Sequence, residues 1–254
     1  MLKRIERIKC FLTKNQGTHI FIACFPKSGS TYLASILREI TGFRRGRLAF
    51  GLSESRGLDI SKKKIEKYRG INTVSKQHLV ASDNNIHLLR KYDYRVVVLV
   101  RNLYDVVLSL HDYIDREPYR TTGYIHKGYF EMSMEDKLMY LIRIHLPWYF
   151  NFLVSWEEVA DQIPLLWVSY EEIFTKQLQI LSSILDFHSL PLDNMCINKA
   201  VQVMKNRDTR FNVGKKGRGV GLLDSHKKAI LEIAKCWRVD PLIMERIGIH
   251  EATS

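Results

Sequence analysis

The feature that most constrains the fold is a junction near the amino terminus, where three short patterns follow one another without a gap. Thr18–Cys24 (THIFIAC) is an apolar run of β-branched and aromatic residues, the signature of a buried strand. Phe25-Pro26-Lys27-Ser28-Gly29-Ser30-Thr31 follows as a small-residue loop. Leu33, Ile36, Leu37 and Ile40 then recur at helical spacing until Gly42. Strand, glycine-containing loop and helix form the opening of a nucleotide-type α/β unit. Such an opening requires further parallel strands beside it.

Further strands are legible along the chain. Ile71–His78 is a candidate second strand, Tyr94–Val100 (YRVVVLV) is apolar on both faces as a central parallel strand should be, and Pro164–Ser169 is another buried run. Helical patterns span Leu103 to Tyr113 and Met134 to Trp156. Phe43 to Arg69 reads as a loop-rich, partly helical excursion, and Tyr119 to Met132 as a long loop or lid. The expected fold is α/β, a central parallel β-sheet flanked by helices in a P-loop-NTPase-like three-layer architecture. With no linker or repeat visible, residues 1–254 are expected to form one domain.

The loop itself is chemically specific. A helix N-terminus offers unpaired N–H groups and the positive end of the helix dipole, a seat for an anion. Gly29 lets the backbone approach a ligand, the hydroxyls of Ser28, Ser30 and Thr31 can donate to phosphate oxygens, and Lys27 supplies charge. The order differs from the nucleoside-triphosphate loop G-x-x-x-x-G-K-[ST], because here lysine precedes glycine. Many nucleoside-triphosphate hydrolases also end a later strand in an Asp that holds Mg²⁺. Here Val96–Val100 runs into Arg101, which favours a further phosphate over a metal.

Pro26-Lys27-Ser28-Gly29-Ser30-Thr31 resembles the 5′-phosphosulfate loop of sulfotransferases that use 3′-phosphoadenosine 5′-phosphosulfate (PAPS), in particular the cytosolic type. The resemblance covers residues 18 to 221 and is densest at the donor site. Arg101-Asn102-Leu103-Tyr104-Asp105-Val106-Val107-Leu108-Ser109 resembles the segment that holds the 3′-phosphate, with Arg101 and Ser109 as its ligands and Asp105 structural. Lys76-Gln77-His78 resembles the K-x-H element. It implies His78 as general base and Lys76 in contact with the transferring group, beside Lys27 at the bridging oxygen. Tyr170, in Trp167–Glu172, and Tyr32, after the loop, are implied to lie against the adenine. Gly214, Lys215, Lys216, Gly217 and Arg218 resemble the glycine-rich loop over the 3′-phosphate, although Asn212 and Val213 stand where Arg and Lys are usual.

The resemblance implies transfer of the sulfuryl group of PAPS to a hydroxyl or amine by in-line attack, releasing adenosine 3′,5′-bisphosphate (PAP), with no metal. An imidazole titrates near neutrality and suits the base role. Two rival readings are a P-loop kinase using ATP and Mg²⁺ and a basic nucleic-acid-binding protein. The formal charge of +12, from 39 Lys and Arg against 27 Asp and Glu, says only that the chain attracts anions. The four cysteines, Cys10, Cys24, Cys196 and Cys236, have neither disulfide-like nor zinc spacing. No apolar run is long enough for a membrane span, and the basic N-terminal stretch with Leu2, Ile5, Ile8 and Phe11 reads as a surface helix rather than a signal peptide. The expected partner is a small-molecule acceptor, with no nucleic acid and no stable membrane insertion, and the expected location is cytoplasmic.

Overall fold

The protein is described by a computed structural model over residues 17–49, 59–117, 125–191, 193–205 and 217–250. Its strands are β1 (His19–Cys24), β2 (Arg44–Arg45), β3 (Thr73–Gln77), β4 (Val96–Val100) and β5 (Leu165–Ser169). All pair in parallel, in the order β2-β3-β1-β4-β5. The first strand therefore lies at the centre, with β3 on one side and β4 on the other. The chain winds outward in both directions from β1, which makes its carboxyl end the topological switch point where such sheets bind ligands.

The side chains of β1 show why it occupies the centre. Ile20, Ile22 and Cys24 enter one apolar cluster, and Phe21, Ala23 and Phe25 enter another on the opposite face. The first cluster is closed by α1 (Ser30–Thr41), α7 (Gln177–Phe187) and α8 (Asn194–Lys205) through residues such as Leu33, Leu37, Leu181, Ile184 and Ile197. The second is closed by α3 (Asp83–Lys91), α4 (Leu103–Arg116), α5 (Met134–Glu157) and α9 (Asp224–Cys236). Helices α2 (Lys62–Tyr68), α6 (Tyr170–Thr175) and α10 (Pro241–Arg246) are shorter. The three-layer α/β architecture expected from the sequence is the one observed.

Some boundaries differ. The 43–69 excursion holds the edge strand β2, whose two arginines are exposed, and α2. A charged, two-residue edge is a poor template for pairing with another chain. The helix begun at Leu103 continues one turn beyond Tyr113, to Arg116. Helix α5 continues through Pro147 because Tyr149, Phe150, Phe152, Leu153 and Trp156 bury its second half. The expected lid lies partly outside the described residues, at 118–124, and its described part contains a 3₁₀ turn, Lys127–Glu131. The N-terminal stretch, with Cys10, lies outside them as well.

Candidate active site

Three neighbouring strands, β3, β1 and β4, deliver Lys76 and His78, the 25–31 loop, and Arg101 to one end of the sheet. In the loop, Lys27 (φ 69°) and Gly29 (φ 81°) are both left-handed. Left-handed residues placed this way curl a backbone so that successive amides face inward, the arrangement of an anion-binding concavity. Gly29 is also the N-cap of α1, and no side chain caps that helix. The helices that start after Ser82, Asn102, Ser133 and Ser169 each have a side-chain oxygen on a first-turn amide. Helix α1, like α2 and α7, has neither a side-chain cap nor an acidic residue in its first turn, and of these it is the one that starts at the switch point.

Glycine at position 29 is required twice. Its φ disfavours any side chain, and a Cβ would fall 2.4 Å from Cδ2 and 2.6 Å from Cε2 of Tyr170. Gly29→Ala should therefore combine about 1–2 kcal/mol of backbone strain with about 1–3 kcal/mol of overpacking. A urea unfolding curve matching that of the parent would show that the loop does not pack on Tyr170 in solution.

Arg101 is the hub. It is buried, its Nη1 donates to the Lys27 carbonyl at 3.0 Å, and its Nη2 lies 3.7 Å from Asp105 Oδ2. Its guanidinium carbon sits 4.3 Å from the centre of the Tyr170 ring. Its Nε is buried and has no hydrogen-bond partner among the described residues. Asp105 holds the next segment: Oδ1 accepts from the Gly219 amide at 2.8 Å and Oδ2 from the Gly217 amide at 3.1 Å. A Cβ on Gly219 would stand 2.3 Å from Tyr104 Cβ, so the segment crosses α4 at close range. Ser109, one turn beyond Asp105, is buried on the same helix.

His78 is 5% exposed, and its Nδ1 lies 3.0 Å from the Cys24 carbonyl oxygen. A carbonyl only accepts, so Nδ1 carries the hydrogen and the neutral ring keeps its lone pair on Nε2. The Cys24 thiol, 3.4 Å from the same Nδ1, is pushed up in pKa chiefly by burial. Trp156 Nε1 donates to the Leu79 carbonyl at 3.1 Å and fixes the chain just after the histidine. Lys76 is half-buried and in register with Ile22 of β1. Lys27 has its ammonium 4.4 Å from the centre of the Tyr113 ring. Burial, with Arg116 and Arg101 nearby, pulls its pKa down to about 8 against the opposing pull of Asp112 and Glu117.

The remaining expected residues divide. Ser30 is buried and Thr31 exposed at the loop, whereas the Ser28 hydroxyl donates to the Phe25 carbonyl at 2.8 Å and so braces the loop itself. Tyr170 lies against both Gly29 and Arg101. The Tyr32 ring stacks on Phe174 at 5.4 Å, and its hydroxyl accepts from Gln177 Nε2 at 2.7 Å. Arg218 is directed at Asp112, Nη1 to Oδ2 at 2.6 Å, while the neighbouring glycine amides bond Asp105. Gly214, Lys215 and Lys216 lie outside the described residues. Among the described residues, no group of three or more His, Cys, Asp or Glu is placed to hold a metal ion.

Sequence reasoning missed three participants. The Cys24 carbonyl orients the histidine, and Tyr113 meets the lysine. The third, Glu171, accepts the Asn102 amide at 3.2 Å and so ties β5 to the start of α4. Only Tyr113 left a sequence signal, since Asp105, Ser109 and Tyr113 recur every fourth residue.

Fold and site together define an α/β enzyme of the group-transfer class, with a glycine-capped helix N-terminus at the switch point and a histidine just beyond the adjacent strand. The sulfotransferase domain profile matches residues 17–238, and the chain belongs to that family. No curated protein matches it in sequence. Among solved structures it is similar to mouse sulfotransferase SULT7A1 complexed with PAP, at 16% identity, covering 95% of this chain and 91% of that one with a TM-score of 0.68. It is also similar to retinol dehydratase in complex with retinol and PAP, at 15% identity, covering 99% and 88% with a TM-score of 0.58. A second retinol dehydratase structure, with androsterone and PAP as an inactive cofactor, matches at 16% identity, 100% and 87% coverage and a TM-score of 0.56.

Proposed function

We propose that the protein transfers the sulfuryl group of PAPS to a hydroxyl or amine of a small-molecule acceptor. One observation carries the reading. Arg101 donates to the Lys27 carbonyl and His78 to the Cys24 carbonyl, so arginine and imidazole both bond the segment that carries Lys27 and leads into α1. The residues present fit a donor with phosphate at both ends. Loop amides, Ser30, Thr31 and Lys27 suit the 5′ end, while Arg101, with Ser109 on the following helix, suits the 3′-phosphate. Tyr170 and Tyr32 supply aromatic surface beside the loop.

PAPS supplies an activated sulfur–oxygen bond. His78 Nε2 takes the proton of the acceptor as its oxygen or nitrogen bonds to sulfur. Lys27 neutralises the charge that builds on the bridging oxygen as that bond breaks, and Lys76 supports the sulfuryl oxygens. PAP leaves. Retinol and androsterone appear with retinol dehydratase, which favours a small acceptor here too. No described helix is long and apolar enough to cross a membrane, and a cytoplasmic location is part of this proposal.

Arg101 gives the direct test of the donor assignment. Loss of a charge-assisted hydrogen bond costs about 1.5–3 kcal/mol, so Arg101→Ala should weaken PAP binding roughly tenfold to 150-fold. Calorimetric titration on a variant whose melting shows it is folded measures this. Parental affinity would remove Arg101 from the donor site.

A further inference from the structure

The 5′ end of the seat contains a cation that, on this reading, must reach the donor, yet it rests against an aromatic ring. Lys27 Nζ lies 4.4 Å from the centroid of Tyr113, which is half-buried on the last turn of α4. Asp105, Ser109 and Tyr113 form one ridge of that helix, running from the segment held at Gly217 and Gly219 to the lysine. The charged groups acting on Lys27 are Arg101 at the end of β4 and Arg116, Asp112 and Glu117 at the end of α4. Of the two acids, Asp112 is engaged by Arg218 at 2.6 Å.

A carboxylate seated on Lys27 would hold it firmly and would repel an incoming phosphate. An aromatic face attracts the ammonium through its quadrupole, brings no net charge, and binds weakly enough to be displaced by an anion. We propose that Tyr113 is a positioning residue. Its ring face parks the charged Lys27 while the donor seat is open and releases it to the donor's 5′-phosphate on binding. This rests on the donor assignment made above.

Linkage fixes the sign of the test. With no donor bound, Lys27 loses its proton near pH 8. A bound phosphate favours the ammonium and raises that value. Above about pH 8, binding therefore takes up a proton, and affinity falls with rising pH. If the ring stabilises only the unbound, charged state, its removal has two effects. Below the bend, binding no longer has to break the ring contact and becomes tighter. The bend itself moves to lower pH by the same factor, so the two curves merge at high pH.

The experiment is calorimetric titration with PAP from pH 7 to 9.5 on the parent, Tyr113→Phe, Tyr113→Leu and Tyr113→Met, each first shown to melt cooperatively. At pH 7 the Leu and Met variants should bind about two- to fivefold more tightly than the parent, converging with it by pH 9.5. Tyr113→Phe, which retains a ring face, should follow the parent. Equal or weaker binding by both non-aromatic variants at pH 7 overturns the proposal, as does a Phe variant that behaves like Leu. If the parent binds no PAP at any pH, the donor assignment fails and this inference with it. If PAP binds but is indifferent to the ring, this inference alone fails.

Discussion

Replacing His78 with alanine is expected to slow sulfuryl transfer by about 10²–10⁴-fold while leaving PAP affinity close to that of the parent. The split follows from geometry. His78 is held through Nδ1 by the Cys24 carbonyl, whereas the proposed donor seat draws on the 25–31 loop, Arg101 and α4. The variant removes a proton acceptor and keeps every cation. The alanine also leaves the Cys24 carbonyl without that bond, a modest local loss of about 0.5–1.5 kcal/mol. Two measurements separate the effects: turnover with ³⁵S-labelled PAPS across acceptor classes, and PAP binding by calorimetry. Undiminished turnover would remove His78 as the base. Lost PAP binding would instead show that the imidazole belongs to the donor seat.

Asp105→Ala should be the most damaging substitution for stability and should weaken PAP binding as well. The carboxylate is 2% exposed, faces Arg101, and accepts the Gly217 and Gly219 amides. Its removal leaves a buried guanidinium uncompensated, for which about 3–5 kcal/mol is typical, and two amides without their acceptor. For a chain of this size such a loss is a large share of the total stability. Asp105→Asn separates charge from shape, since its amide oxygen can still accept one of the two N–H groups. Urea denaturation should rank parent, Asn and Ala in falling order. If Ala matches the parent, the clamp does not exist in solution.

Much of this was legible in the sequence because its signals are local. Val96–Val100 and Ile20–Cys24 are uninterrupted apolar runs, and a strand buried on both faces needs nothing more to be read. Lys27 and Arg101 stand just beyond these runs and His78 just beyond the more polar Thr73–Gln77, so placing the strands side by side brings their ends together. Ser169-Tyr170-Glu171-Glu172 has the S-x-x-E spacing of a capping box, and it does start a helix, with Glu172 bonding back to Ser169. Reading it only as a strand end catches half its meaning.

What stayed hidden depends on rotamers and on contacts between distant segments. No pattern announces that Arg218 will turn to Asp112, which lies 106 residues earlier. Neither does any local rule say that Ser28 will spend its hydroxyl on the loop, or that Tyr32 will stack on Phe174. Each is settled by packing after the chain has closed. The same holds for Tyr113, whose spacing marks a helix ridge without revealing that a lysine from the 25–31 loop lands on it.

The proposed seat draws on residues near 27, 101 and 217, which come from elements far apart in the chain. Donor recognition is therefore available only to the completed tertiary structure. The nucleotide acts as a reporter of native topology and, by mass action, as its guardian: a cell rich in PAPS holds more of this polypeptide in its working form than a cell depleted of it.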